Sequence, residues 1–177
     1  MTTPRPAIRR AAAADAEALA RIGATTFTAT FGHLYPPEDL AAFLAEHHSP
    51  ERAAADLAHP QKAAWIAELD GVVVGYAAVG PSDLPHAEVG PGSGELKRLY
   101  VDASQQGLGT GRRLLETALA WLEEAGLGDV WLSVWSENFG AQRLYQRYGF
   151  ECVDTYLFQV GSVHDKEFMF RRRKVPV

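Results

Sequence analysis

Hydrophobic positions change their period along this chain, and the changes mark its elements. Ala7 to Ala11 reads as a short first strand. From Asp15 a helical spacing takes over, carried by Leu19, Ile22, Thr26, Phe27, Thr30 and Phe31. Pro36-Pro37 breaks that helix, and Glu38 to His48 reads as a second. Ser49-Pro50-Glu51 supplies a cap, a proline at the first helical position and an acid in the first turn. The third helix so begun is predicted to end near His59-Pro60. Ala63 to Leu69 and Val72 to Val79 then read as strands, joined by Asp70-Gly71, the signature of a two-residue type I′ hairpin. Pro81 to Gly94 is polar and rich in proline and glycine, which predicts a mobile surface loop.

The chain is organised around Glu95 to Gly126. A strand, Leu96 to Val101, turns through Asp102-Ala103-Ser104 and crosses Gln106-Gly107-Leu108-Gly109-Thr110-Gly111 into an amphipathic helix. Glycines let a backbone approach a ligand closely, and the first amides of a helix have no partner within it. Such a loop is an anion cradle, suited to a phosphate or pyrophosphate. Two nucleotide motifs fail here. A dinucleotide fingerprint requires glycine where Arg112 stands, and a P-loop requires Lys-Ser/Thr after Gly111 where Arg112-Arg113 follow.

Val130 to Ser136 reads as a buried strand. The helix after it is capped by Asn138, carries an apolar stripe of Ala141, Leu144, Tyr145 and Tyr148, and is stopped by Gly149 in a left-handed turn. Asn138 and Tyr145, seven residues apart, share one face. Cys152 to Val160 and Val163 to Phe170 close the chain as an antiparallel pair around Gly161-Ser162. Periodicity alone gives a mixed α/β domain with antiparallel strands at its edges. At 177 residues, with no repeat and no linker-like shift, residues 1–177 are expected to form one domain.

Composition adds exclusions. With 47% hydrophobic and 22% charged residues the chain is of ordinary globular type, and no apolar run is long enough to span a bilayer. A net charge of −5 gives no reason to expect nucleic acid or an anionic membrane as partner, and the basic end Arg171 to Lys174 reads as solvated. Asp15 and Glu17 interrupt the alanine-rich start, so no secretory leader is expected and the cytoplasm is the expected location. The lone Cys152 is expected to be a buried, inert thiol. His47, His48 and His59 lack metal-ligand spacing and are expected on helix surfaces, so no metal is predicted. A monomer or a homodimer is equally compatible.

Two segments carry a resemblance. Gln106-x-x-Gly109-x-Gly111 between strand and helix, and Asn138-x-x-Ala141-x-x-x-Tyr145-x-x-x-Gly149-Phe150, are similar to the two signature segments of the GNAT superfamily of N-acetyltransferases. The resemblance implies a mixed, mainly antiparallel α/β fold of order β-α-α-β-β-β-α-β-α-β-β, with the fourth and fifth strands splayed around acetyl-CoA. It implies that the backbone of Leu99, Tyr100 and Val101 pairs with the pantetheine arm like an added strand. Gln106, Gly107, Leu108, Gly109, Thr110, Gly111 and Arg112 would hold the pyrophosphate, and Asn138 would bond the arm.

Transfer to an amine needs a base, because an alkylamine is protonated near pH 7, and an acid for the departing thiolate. Tyr145 is the acid that the resemblance implies, and Glu95, at the start of the fourth strand, is the expected base. The bland alternatives are a core tyrosine and a strand-end glutamate in water, paired with Lys97. Phe27, Phe31, Tyr35 and Glu95 are the expected acceptor contacts. The Thr26-Phe27-x-x-Thr30-Phe31 repeat, Glu95-Leu96-x-Arg98-Leu99-Tyr100-Val101 and Trp131-Leu132-x-Val134-Trp135-x-x-Asn138 look like the bacterial polyamine-acetylating branch. Glu38, Asp39 and Glu46 would then hold a polyamine's distal ammonium groups. Three other readings stand beside it: a protein N-terminal acetyltransferase of ribosomal-protein type, an enzyme for a drug or metabolite amine, and a non-catalytic acyl-CoA sensor. Ser133 stands where the ribosomal-protein type places a glutamate.

Overall fold

A computed structural model of the chain describes residues 4–176. In chain order the elements are β1 (Ala7–Arg10), α1 (Ala16–Phe31), α2 (Pro37–His47), α3 (Pro50–Ala58), β2 (Ala63–Leu69), β3 (Val72–Pro81) and β4 (Gly94–Val101). There follow α4 (Thr110–Glu124), β5 (Val130–Trp135), α5 (Phe139–Arg147), β6 (Glu151–Val160) and β7 (Val163–Arg172).

Local chemistry sets the boundaries. Ser49 Oγ accepts the Arg52 amide at 3.2 Å and caps α3. Asp70 and Gly71 both take positive φ, 50° and 78°, as a type I′ hairpin requires. Gly149 ends α5 at φ 83°. The segment between β1 and β2 holds three helices, because Ser49-Pro50 stops α2 and restarts the chain as α3; the order implied by the resemblance allowed two.

The seven strands lie in the order β1-β2-β3-β4-β5-β7-β6. Every neighbouring pair is antiparallel except β4 and β5, which pair in parallel only at Gly94–Val130 and Glu95–Trp131. Beyond Glu95 the two strands diverge. On its other side β4 slips register against β3: Arg98 faces Ala78 and Leu96 faces Val79, so Lys97 is the extra residue of a bulge. The bulge keeps Leu96, Leu99 and Val101 on the α4 side, while Tyr100 joins the clusters on the opposite side.

On one face, α4 buries Leu114, Leu115, Ala118, Leu119 and Leu122 against Ala67, Ala77, Leu132 and Phe170. Each such leucine contributes about 1.5–3 kcal/mol. On the other, Leu19 and Ile22 of α1 cover Ile66 and Tyr76, and farther along Phe27 and Tyr35 meet Val160. The close approach of α1 requires Gly23, where a Cβ would come within 2.5 Å of His48 Nδ1.

Three expectations need correction. The segment after β3 is pinned down: Ser82 bonds Ser93 at 2.9 Å, and Leu84 is buried against Trp131 and Met169. Cys152 is exposed, because β6 is the sheet's edge strand and its register slips between Cys152 and Asp154. His48 is buried behind α2, among Phe27, Phe43 and Tyr100, rather than on a helix surface.

Candidate functional site

The divergence of β4 and β5 opens one continuous cavity of about 680 Å³ that runs from the gap between the strands to the α1 side of the sheet. Leu99, Val101, Gln106, Asn138, Ala141 and Tyr145 line one end. Past Glu95, the β4 edge has no strand partner on the β5 side, so its backbone groups stand ready to pair with an extended ligand. Gln106 Nε2 donates to Val101 O at 3.0 Å and ties the glycine loop to the strand end. Gly109 is the N-cap of α4 at φ 85°, and Gly107 has φ 74°; a Cβ built on either meets nothing within 4 Å. The loop therefore leaves an open cradle over the helix N-terminus, as an anion would need.

Asn138 Oδ1 accepts the Ala141 amide at 3.2 Å, which caps α5 and leaves its side-chain NH₂ available. Tyr145 is buried, with its ring 6.0 Å from Phe150, and burial pushes its hydroxyl's pKa up. It therefore stays protonated across the neutral range, as an acid must.

The other end is aromatic. Phe27 lies 4.9 Å from Phe31, 6.1 Å from Tyr35 and 4.7 Å from Phe43, and Phe31 meets the edge of Trp135 at 5.7 Å. Phe43 in turn meets Phe158 of β6 at 5.8 Å. Asp39 accepts from the Ser162 amide at 3.1 Å and its hydroxyl at 3.0 Å, so α2 is fastened to the β6–β7 turn. The Tyr35 hydroxyl donates to Asp165 and makes a second tie. Together these contacts cover that side of the cavity.

Most charges along the walls are paired. Asp56 holds Lys62 at 2.6 Å and Arg52 at 3.3 Å. Lys97 reaches Asp83 at 2.7 Å and Glu95 at 2.8 Å. Arg98 donates to the His47 carbonyl at 3.1 Å. Glu95 is buried rather than in water, and its carboxylate accepts both Lys97 and the Asp83 amide. Burial raises its pKa, and Lys97 opposes the rise. Glu167 of β7 differs, since among the described residues it forms no ion pair; Ser133 hydrogen-bonds it, and burial raises its pKa to about 7.

Comparison with known proteins settles the family. The GNAT acetyltransferase family model matches residues 24–150. This chain belongs to the GNAT acetyltransferase family. An uncharacterised N-acetyltransferase of Mycobacterium tuberculosis is 32% identical over 161 residues, 91% of this chain and 99% of that one. Among solved structures, the PaiA N-acetyltransferase of Thermoplasma acidophilum, in complex with coenzyme A, superposes with a TM-score of 0.77 at 20% identity. It covers 95% of this chain and 98% of that one. The ribosomal-protein-alanine N-acetyltransferase of Brucella melitensis gives 0.68 at 25% identity, over 95% and 99%.

In this acetyltransferase Glu95, Phe27, Phe31, Tyr35, Tyr100, Val101, Gln106, Asn138 and Tyr145 all line the one cavity. The Tyr100 side chain points to the acceptor end, where it crosses Tyr76 at 5.6 Å, so only its backbone faces the strand gap. Glu38, Asp39 and Glu46 are not among the cavity's lining residues, and Asp39 is committed to Ser162. Sequence reading missed Phe43, Tyr156, Phe158 and Glu167. One signal was available for Glu167: it directly precedes the apolar run Phe168-Met169-Phe170 in β7, a strand flanked on both sides, where a carboxylate is rarely withdrawn from water without purpose.

Proposed function

We propose that this acetyltransferase moves an acetyl group from acetyl-CoA directly to a primary amine of a small molecule. Acetyl-CoA supplies an activated thioester. The open glycine cradle from Gln106 to Arg112, the unpaired edge at Leu99 to Val101, and Asn138 fit its pyrophosphate and pantetheine arm. Tyr145 is the residue proposed to protonate the departing sulfur. The carboxylates of buried Glu95 and half-buried Glu167 are the proton acceptors that line the cavity.

The observation that carries the small-molecule reading is the covered acceptor end. A protein N-terminus needs an open groove to lie in, and here Asp39–Ser162, Tyr35–Asp165 and Phe43–Phe158 fasten α2 and the segment before it to β6 and β7. A polyamine such as spermidine is the first acceptor to test. The sequence likeness favours it, and Phe27, Thr30 and Phe31 of the repeated motif line the cavity, where aromatic faces suit cationic nitrogen.

A thiol-release assay with acetyl-CoA and a panel of spermidine, lysine, aminoglycosides and short peptides tests the reading. Turnover with spermidine and none with peptides is expected. Preference for a peptide N-terminus would overturn the small-molecule assignment, and CoA binding without turnover on any amine would make the protein a sensor.

A further inference from the structure

Glu95 is the proton acceptor that the sequence suggests, yet one of its oxygens already holds two donors. One oxygen accepts Lys97 at 2.8 Å and the Asp83 amide at 3.2 Å, and Lys97 is shared with Asp83 at 2.7 Å. This arrangement holds the segment after β3 onto the bulge of β4. The ammonium and the amide favour the charged form of Glu95, oppose the rise in pKa that burial causes, and occupy the oxygen that would receive a proton.

Glu167 has the opposite surroundings. It is paired with Trp135 across β5–β7 and lines the same cavity as Tyr145 and the Phe27–Phe31 box. Its carboxylate acts on four tyrosines from different parts of the chain: Tyr35 from the segment after α1, Tyr100 of β4, Tyr145 of α5 and Tyr156 of β6. On β5 its neighbour is Ser133, and on its own strand Asp165 adds a second negative charge. Hydroxyls and like charge surround it, and among the described residues it forms no ion pair. A largely desolvated carboxylate without a cation is costly, and an arriving ammonium group supplies the missing partner.

We propose that Glu167 receives the acceptor's ammonium group and takes its proton, while Glu95 positions the bulge and the loop above it. The inference rests on the acetyl-transfer reading above. The balance is complete without another reagent: a C–N bond forms as the C–S bond breaks. Of the two protons that the ammonium gives up, one is matched by the proton Tyr145 delivers to sulfur. The other leaves through Glu167 to solvent. A side chain that loses its proton near the working pH is the most effective base, and Glu167's pKa of about 7 suits that task.

The test compares Glu167→Gln and Glu95→Gln with wild type, using whichever amine of the panel wild type acetylates fastest. For Glu167→Gln, kcat/KM is expected to fall roughly 10²-fold near neutral pH and to recover partly as pH rises, because more amine arrives neutral. Glu95→Gln should keep the shape of the profile. The reverse pattern, with the acid limb lost in Glu95→Gln and kept in Glu167→Gln, would overturn the assignment. A second measurement needs no substrate: carboxyl-carbon NMR of glutamate-labelled protein should show one group titrating near pH 7, absent in Glu167→Gln. A wild-type spectrum with no such carboxyl would overturn the proposal independently of activity. If wild type acetylates only peptides, the small-molecule reading fails, and the same pair of variants assayed on the peptide still decides between the two glutamates.

Discussion

His48 offers the sharpest test of how the acceptor end is built. The imidazole sits at the end of α2, 5.5 Å from Phe27 and 6.0 Å from Tyr100, and is buried. Burial, then the charges of Arg98 and His47, hold its pKa down at about 3 against an ordinary 6.5. Between those values the unfolded chain binds a proton that the folded chain refuses. Stability from this group is therefore complete above about pH 6.5, rises with pH through the window, and is lost as pH falls toward 3. Going from about pH 7 to about pH 4 removes about 3 kcal/mol on this account.

Glu167 runs the other way. Its pKa is raised from 4.5 to about 7, so the folded chain binds the extra proton and stability falls as pH rises through that range. A wild-type pH curve alone would mix the two. The informative perturbation is His48→Gln, which removes the titration and leaves Glu167 in place, so that the Glu167 contribution cancels in the difference. Urea unfolding followed by tryptophan fluorescence at neutral pH and near pH 4 gives that difference, free of any constant cost of the substitution. The variant should lose about 3 kcal/mol less than wild type between the two conditions. Equal losses would mean that the imidazole is accessible to protons in the folded protein, and the packing described around Phe27 would be wrong.

Two further outcomes concern the donor end. Tyr145→Phe keeps the ring on Phe150 and removes only the hydroxyl, so kcat should fall roughly 10–10³-fold with the KM for acetyl-CoA and the unfolding midpoint nearly unchanged; wild-type turnover would return Tyr145 to the core. Gly109→Val forces a β-branched residue to φ 85° at the head of α4, and calorimetry should find CoA binding lost in a chain that still folds; unchanged affinity would remove the loop from the site.

The donor end was legible because its requirements are local. A cradle needs glycine at fixed steps between a strand and a helix, and Gln106, Gly109 and Gly111 lie within one short stretch of the chain. The hairpin at Asp70-Gly71 and the caps at Ser49 and Gly149 were legible for the same reason, since each is decided by a few neighbouring dihedrals. The burial of His48 and the exposure of Cys152 were not, because one depends on α1 crossing at Gly23 and the other on which strand ends the sheet. The polar loop after β3 misled in the same way: its composition is that of a free segment, and Leu84 with the Asp83 contacts to Glu95 and Lys97 fixes it to the sheet.

The two glutamates show the limit most clearly. Glu95 drew notice by its distance in sequence from Gln106, and that spacing does bring it into the cavity. What spacing cannot reveal is that Lys97, pushed onto the same side by a one-residue bulge, would neutralise it. Glu167 lies 72 residues further on (167 − 95 = 72), in a strand that sequence reading treated only as the closing edge of the sheet. It becomes a cavity residue because β7 inserts between β5 and β6, which sets it opposite Trp135, with its carboxylate bonded to Ser133 and among tyrosines from four other segments. Charge in this cavity is thus settled by tertiary pairing. Among the described residues, Asp56, Asp83 and Glu95 each hold a cation and support the wall, and Glu167 holds none, which is why we propose it for the substrate.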